Sequence, residues 1–304
     1  MKRCRWCLVM AFVLLLCSRN GAFADAPPPI AIGFYNPVIR DVPRKDVEVT
    51  LRFWADELGA SIKVPFKPIR FYDSLSDMRR DLKAGEINFI VGTSMGVAQI
   101  FPNEELRDGF SGLKNQPDHL LLVVRRASGI QRPGDLADKR IALLDGDELS
   151  EVYLEVLLMK AWAKPDETRL ASIHREKRSS TLVHHLFFNQ VDAALVKRNT
   201  YDAAVAMNPQ VGKQVMVLED YTFKGRSPHI ALFSSRVAPQ HAEAITKSVL
   251  TLGQTARGRQ LLDIYNADSM VVTRVQDLDP FRELLNQHRV LKATAGSAPK
   301  KVAR

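Results

Sequence analysis

The sequence predicts an α/β protein of two lobes, each a mostly parallel sheet wrapped by helices, joined by two crossing strands. Three observations carry this expectation. Short apolar runs of strand length alternate with segments whose apolar residues recur at helical spacing, the pattern that builds parallel sheets covered by helices. The alternation restarts near residue 140, which gives too many units for one small sheet. The 304 residues also suit two lobes better than one.

The first 24 residues join a basic start (Lys2, Arg3, Arg5) to an apolar stretch over 8–16 and then Ala22-Phe23-Ala24, the small-x-small pattern of a cleaved secretory signal. The apolar stretch is shorter than the roughly 20 residues a membrane span requires. Cys4, Cys7 and Cys17 all lie in this leader. The mature chain is therefore expected outside the cytoplasm, without disulfides, thiolate metal ligands or a thiol nucleophile.

A strand is expected at 30–34, with Asn36-Pro37 as the turn after it. Val47, Leu51, Ala55 and Leu58 form one helical face that Gly59 would end. A strand at 61–66 follows. Ser74 and Asp77 have the spacing of a capping box ahead of Leu75, Met78 and Leu82, with Gly85 as the stop and a strand at 87–91. The run 120–124 is apolar without interruption, as in a strand buried on both faces. The second series has strands at 141–144, 191–196 and 215–218 and helices at 149–162, 179–188 and 199–206. It is followed by a strand at 229–234 and helices at 239–254, 257–264 and 280–287. Trp54 and Trp162 fall on apolar helix faces and are expected in the core. The runs 120–124 and 229–234 are taken as the crossing strands and Tyr221 to Arg226 as the hinge loop. This divides the chain into a first lobe of 25–122 with 228–291, a second of 123–227, and a disordered basic tail at 292–304.

The formal charge of +9 is unevenly spread. Lys2, Arg3, Arg5 and Arg19 leave with the signal, and Lys292, Lys300, Lys301 and Arg304 belong to the tail, so the body carries 9 − 4 − 4 = +1. A nearly neutral body excludes a nucleic-acid surface, which needs a concentrated basic face. His184 and His185 are adjacent and point about 100° apart on a helix, so they cannot share a metal ion as an i, i+4 pair would. Neither G-x-G-x-x-G nor a P-loop is present, and no metal or cofactor is expected.

Several stretches resemble one family. Leu82-Lys83-Ala84-Gly85-Glu86-Ile87-Asn88-Phe89-Ile90-Val91-Gly92 is similar to its helix-Ala-Gly-strand segment. Ser128-Gly129-Ile130, with Asp135-Leu136-Ala137-Asp138-Lys139-Arg140-Ile141-Ala142, resembles its hinge-exit motif. Asn189-Gln190-Val191-Asp192-Ala193-Ala194 and Pro228-His229-Ile230-Ala231-Leu232 fit as well. Over about residues 29–291 the chain resembles the periplasmic substrate-binding proteins of ABC transporters of the phosphate, phosphite and phosphonate type. The resemblance implies a two-lobed flytrap that closes on a small solute and delivers it to a membrane permease, acting as a monomer and not as an enzyme. It also exposes departures. Where the family opens the first helix of its second lobe with small hydroxyl residues, this chain has Asp145-Gly146-Asp147-Glu148-Leu149-Ser150, whose carboxylates would repel an anion. Asn88 stands where a carboxylate is common, and Leu75 where an aromatic ligand contact is often found.

Ligands of open α/β sheets bind beyond the carboxyl ends of the strands. That rule selects Tyr35, Asn36, Arg70 with Tyr72, Thr93 and Ser94 in the first lobe, and Asp145 to Ser150, Ser179, Ser180, Asn199 and Tyr201 in the second. Ser179-Ser180-Thr181 follows Arg175, Lys177 and Arg178, so free N–H groups, hydroxyls and guanidinium groups meet there as in an anion site. Arg226 is a further candidate for closing on an anionic solute. The acidic stretch favours an amine-bearing solute and the Ser179 segment an acid; a zwitterion would use both. Two other readings stay open at this point. Gly92-Thr93-Ser94-Met95-Gly96 matches G-x-S-x-G, the nucleophile elbow of a secreted serine hydrolase, although Pro102 would cut short the helix behind it. The same binding fold could also serve a membrane sensor instead of a transporter.

Overall fold

The computed structural model describes residues 28–39, 43–114, 119–162, 169–222, 227–264 and 267–296. The signal segment, Arg226 and residues 297–304 lie outside these.

The chain opens with β1 (Ile32–Tyr35), a 3-10 turn at Asn36–Ile39, α1 (Arg44–Ile62), β2 (Arg70–Tyr72), α2 (Leu75–Ala84), β3 (Phe89–Thr93), α3 (Ser94–Ile100), β4 (Leu106–Leu113) and β5 (His119–Arg125). The second series is β6 (Arg140–Leu144), α4 (Glu148–Trp162), β7 (Ser172–Glu176), α5 (Ser179–Phe187), β8 (Ala193–Lys197), α6 (Arg198–Met207), α7 (Pro209–Gln214) and β9 (Val215–Thr222). It closes with β10 (His229–Ser234), α8 (Pro239–Val249), α9 (Ala256–Ile264), β11 (Ser269–Thr273) and α10 (Asp279–Gly296).

Two sheets result, one ordered β11-β4-β10-β3-β1-β2 and the other β7-β6-β8-β5-β9. Both are mixed, not mostly parallel. β1 pairs parallel with β2 and β3, and β6 with β7 and β8, while β10, β4 and β11 add antiparallel strands to the first sheet and β5 and β9 to the second. The runs expected to cross between lobes are interior strands. Residues of β5 pair on one side with β8 and on the other with β9, and β10 lies between β3 and β4. Uninterrupted apolar runs mark strands buried on both faces, and such strands belong in a sheet's centre. The chain changes sheets between Leu113 and His119 and again between Thr222 and His229.

Local chemistry explains most element ends. Ser74 accepts a hydrogen bond from the Asp77 N–H, and Gly85 ends α2 at φ 79°, a conformation that costs glycine little. Gly59 does not stop α1. The helix runs on to Ile62 and ends at Lys63 with φ 54°, and Gly59 is needed for space: a Cβ there would lie 2.8 Å from the Val64 carbonyl. The expected strand at 61–66 therefore reduces to one bridge, Ile30 to Phe66, since Pro65 has no N–H for a ladder. β4 escapes a periodicity reading because Gly109 and Gly112 interrupt it. At Gly109 the backbone passes so close to β10 that a Cβ would sit 2.2 Å from the Ala231 carbonyl. The last helix extends through Lys292 to Gly296, beyond the expected start of the tail.

The faces of the two sheets are covered unequally. α1 and α8 pack on one face of the first sheet through Val47, Leu51, Ala242 and Ile245. α5 and α6 cover one face of the second through Leu182, Val183, Leu186 and Ala204. The remaining faces share one buried cluster in which Leu75, Met95 and Phe101 join Leu120, Leu122, Leu149, Leu154, Phe281 and Leu284. Trp54 and Trp162 are partly buried against these cores.

Candidate functional site

Because β1, β2 and β3 run parallel, Tyr35, Tyr72 and Thr93 finish on one edge of the first sheet. Leu144, Glu176 and Lys197 likewise finish on one edge of the second. α3 begins without a loop: Thr93 is its N-cap, its hydroxyl accepting from the Gly96 N–H at 3.3 Å. α4 begins just after β6, with the Asp147 N–H donating to the Leu144 carbonyl at 3.1 Å.

These two helix starts meet. The Tyr35 hydroxyl donates to Glu148 Oε1 at 3.0 Å, linking the two sheets across 113 residues of chain. Gly96 is hemmed in at the same place. A Cβ there would lie 2.7 Å from Thr93 Oγ1 and 3.2 Å from Glu148 Oε1. Ser150 is buried one half-turn on, and its hydroxyl donates to Asp147 Oδ2 at 2.5 Å. Tyr35, Thr93 and the 147–150 segment are thus brought together as expected from the strand-end rule.

Other expected residues are placed differently. Asn36 adjoins Tyr35, but its Nδ2 donates to Asp73, and its buried Oδ1 has no partner among the described residues. Tyr72 turns into its own lobe and donates to Asp81 Oδ2 at 2.9 Å; burial, then that carboxylate, pushes its phenol up to about 12. The Ser94 hydroxyl donates to the Ser227 carbonyl at 2.7 Å and its N–H to the Pro228 carbonyl at 2.8 Å, which ties the start of α3 to the chain entering β10. Ser179 and Ser180 do open α5, beside the edge strand β7, with Ser180 exposed. Arg175 is engaged with Glu151 at 3.2 Å. Asn199 is exposed and its Oδ1 accepts from the Thr200 N–H. Tyr201 packs against the cluster under α5 and α6, its hydroxyl reaching the Val215 carbonyl at 3.5 Å, and so serves packing. Asn88 braces its sheet: its Oδ1 accepts from the Ala31 N–H at 2.8 Å and its Nδ2 donates to the Pro29 carbonyl at 2.9 Å.

Ser94 does not have the geometry of a nucleophile elbow. That motif exposes its Oγ on a strained turn. Here Ser94 is 2% exposed, its hydroxyl is spent on a carbonyl, and it is not among the described non-glycine residues with positive φ. Among the described residues no three His, Cys, Asp or Glu side chains could hold a metal ion, and no helix is long and apolar enough to cross a membrane.

Sequence reasoning missed the second seam between the lobes, on α10. His288 Nε2 lies 2.5 Å from Glu155 Oε2 on α4, with Lys292 at 3.8 Å, while Arg282 Nη2 holds α10 to its own lobe by donating to the Phe101 carbonyl at 3.2 Å. Behind it the Tyr153 and Tyr221 rings lie 4.5 Å apart, and burial pushes both phenols up. Charges at helix spacing give no signal of which distant helix they meet.

Comparison with known proteins agrees with this architecture. Residues 38–278 match the family described as ABC transporter, phosphonate, periplasmic substrate-binding protein. Among solved structures, a binding protein component of an ABC phosphonate transporter from Pseudomonas aeruginosa superposes with a TM-score of 0.62 at 11% identity, covering 90% of this chain and 91% of that one. PhnD1 from Prochlorococcus marinus in complex with methylphosphonate gives 0.60 at 11% identity, covering 88% and 99%. A Xanthomonas citri protein bound to ATP gives 0.65 at 11% identity, covering 87% and 98%. At such identity these likenesses speak for the fold. No curated protein matches the chain.

Proposed function

We propose that this chain, which belongs to the family of phosphonate-type periplasmic substrate-binding proteins of ABC transporters, takes a small phosphonate-like acid or zwitterion between its two lobes. Members of that family bind a small solute outside the cytoplasm and deliver it to the transporter's permease. The observation that carries the reading is the convergence of Tyr35, Thr93, Gly96 and Ser150 at the facing strand ends of two sheets, with Glu148 linking them. Loop tips and helix starts that face each other across two bodies form a clamp, in which solute held by one side gains contacts from the other and shifts the population closed.

In this reading the lobes divide where the chain changes sheets: β1–β4 with β10, β11 and α10 form one lobe and β5–β9 the other, so the division expected after residue 122 moves ahead of β5, whose Leu120 to Leu122 pair with β8 and β9. Tyr35, Asn36, Thr93 and Ser150 line the solute site and Ser179 and Ser180 lie at its rim. The signal is cleaved after Ala24, and the mature protein acts as a monomer without catalysis.

Calorimetric titration with methylphosphonate, phosphate, sulfate, 2-aminoethylphosphonate and small carboxylic acids tests it. At least one should bind, and Thr93→Val should weaken that solute by about tenfold through loss of one hydrogen bond and the helix cap. Folded protein that gives no heat with any of them would remove the reading.

A further inference from the structure

Glu148 reaches the opposite lobe at the strand-end edge. It begins α4 on the second lobe, and its Oε1 accepts from Tyr35 Oη of β1 at 3.0 Å. The same oxygen lies against the first turn of α3, 3.2 Å from where a Cβ on Gly96 would stand, and Thr93 Oγ1 lies 2.7 Å from that same point. One carboxylate oxygen therefore takes the Tyr35 hydroxyl and stands beside Gly96 on the first lobe. Leu75 closes one side, its Cδ1 2.3 Å from the same Cβ position, so the space is tight as well as polar.

We propose that Glu148 is a built-in competitor for the solute: its carboxylate stands where an acidic group of the solute would bind, holds the solute-free lobes together through Tyr35, and must be displaced on binding. The inference rests on the reading of this cleft as the solute site. The physics is that of two like charges directed at one small, partly buried place. An incoming phosphonate oxyanion cannot share it with a carboxylate without strong repulsion, and both would draw on the Tyr35 hydroxyl. Glu148 thereby sets selectivity. It penalises acids that cannot move it and leaves the site to those with enough contacts elsewhere in the cleft to make displacement favourable. Its bond to Tyr35 also costs the solute the work of opening lobes that are already joined, because binding competence is reduced by the fraction of molecules that are latched.

Two substitutions separate the charge from the latch. Glu148→Gln keeps the size and still accepts from Tyr35, but removes the negative charge; Tyr35→Phe keeps the charge and removes the bond. In calorimetry against methylphosphonate and 2-aminoethylphosphonate, Glu148→Gln should bind the acid that the wild type binds about tenfold more tightly or better, or bind one that the wild type does not. Equal or weaker binding by Glu148→Gln overturns the proposal, since Glu148 would then be a bystander or a direct contact. In small-angle X-ray scattering without solute, Tyr35→Phe should have a larger radius of gyration than the wild type, and an unchanged radius overturns the latch. If no variant binds any acid while the radius still rises, the latch stands and the reading of the site as a phosphonate-type cleft falls. Circular dichroism confirms that each variant is folded.

Discussion

Asn88 and Asp192 occupy the same place in the two lobes and solve one problem with different chemistry. In the first, the Asn88 N–H donates to the Ala31 carbonyl at 2.9 Å while its side-chain oxygen accepts from the Ala31 N–H at 2.8 Å. In the second, the Asp192 N–H donates to the Arg140 carbonyl at 2.8 Å while its Oδ2 accepts from the Arg140 N–H at 2.9 Å. Each closes a two-way brace between a strand and the start of its parallel neighbour. Each follows a helix that ends on a left-handed residue, Gly85 at φ 79° and Asn189 at φ 61°. The difference lies in the side chain's remaining valence. Asn88 donates to the Pro29 carbonyl, whereas Asp192 takes two more hydrogen bonds from the Arg140 guanidinium, at 3.0 Å from Nε and 3.0 Å from Nη2. One winding thus tolerates a neutral or a charged brace, and only the charged one makes stability depend on pH.

The largest effect expected on this comparison comes from Asp192→Ala, which leaves the Arg140 N–H and guanidinium without the carboxylate and should cost about 2–3 kcal/mol in urea unfolding at neutral pH. The wild-type brace should itself be acid-sensitive. The Arg140 side chain, first among the causes, holds the Asp192 carboxyl below the ordinary aspartate range. Its contribution is therefore complete above the unfolded value of about 3.9 and is lost as pH falls through the lower folded-state value. The gap between wild type and Asp192→Asn should close over that acid range, and a gap that stays constant would break the assignment.

Asn88→Asp turns the neutral brace into a charged one in the wrong setting. The carboxylate still accepts from Ala31, but its second oxygen faces the Pro29 carbonyl where an N–H had donated, so about 1–2 kcal/mol of stability should be lost at pH 7. Protonation restores a donor, so the loss should shrink on acidification: at position 88 the protonated carboxyl is the stabilising form, whereas at Asp192 it is the ionised one. The smallest effects belong to the helix ends. Gly85→Ala places a Cβ at positive φ and should cost about 1 kcal/mol. Asn189→Gly relieves the same strain and should gain up to about 0.5 kcal/mol, both read from thermal melts.

Much of this plan was legible in sequence because it is written in short-range signals. The spacing of Val47, Leu51 and Leu58, the Ser74 cap and Gly85 stop, and the apolar runs of β5 and β10 fix those elements within a few residues. The strands that were missed, β2, β4, β7 and β11, are glycine-interrupted or edge strands without clean alternation. The site was half legible. The strand-end rule selected Tyr35, Thr93 and Ser150, which lie at the facing edges, and also Ser94, Tyr72 and Tyr201, whose hydroxyls bond inside their own lobes or on the neck between them. A side chain's partner depends on which way it turns from a shared edge, and local spacing does not encode that.

By itself the sequence determined the composition of the two series of strands and helices, and the residue types offered at their tips. Local periodicity, capping and turn chemistry act over a few residues and need no distant contact. Only the tertiary structure decided that β5 lies inside the second sheet, that α10 seams the lobes through Glu155 and His288, and that Glu148 meets Tyr35 across 113 residues. Those pairings arise when whole faces are buried against one another. The free energy that selects them is summed over the shared apolar cluster and is not a property of any short stretch.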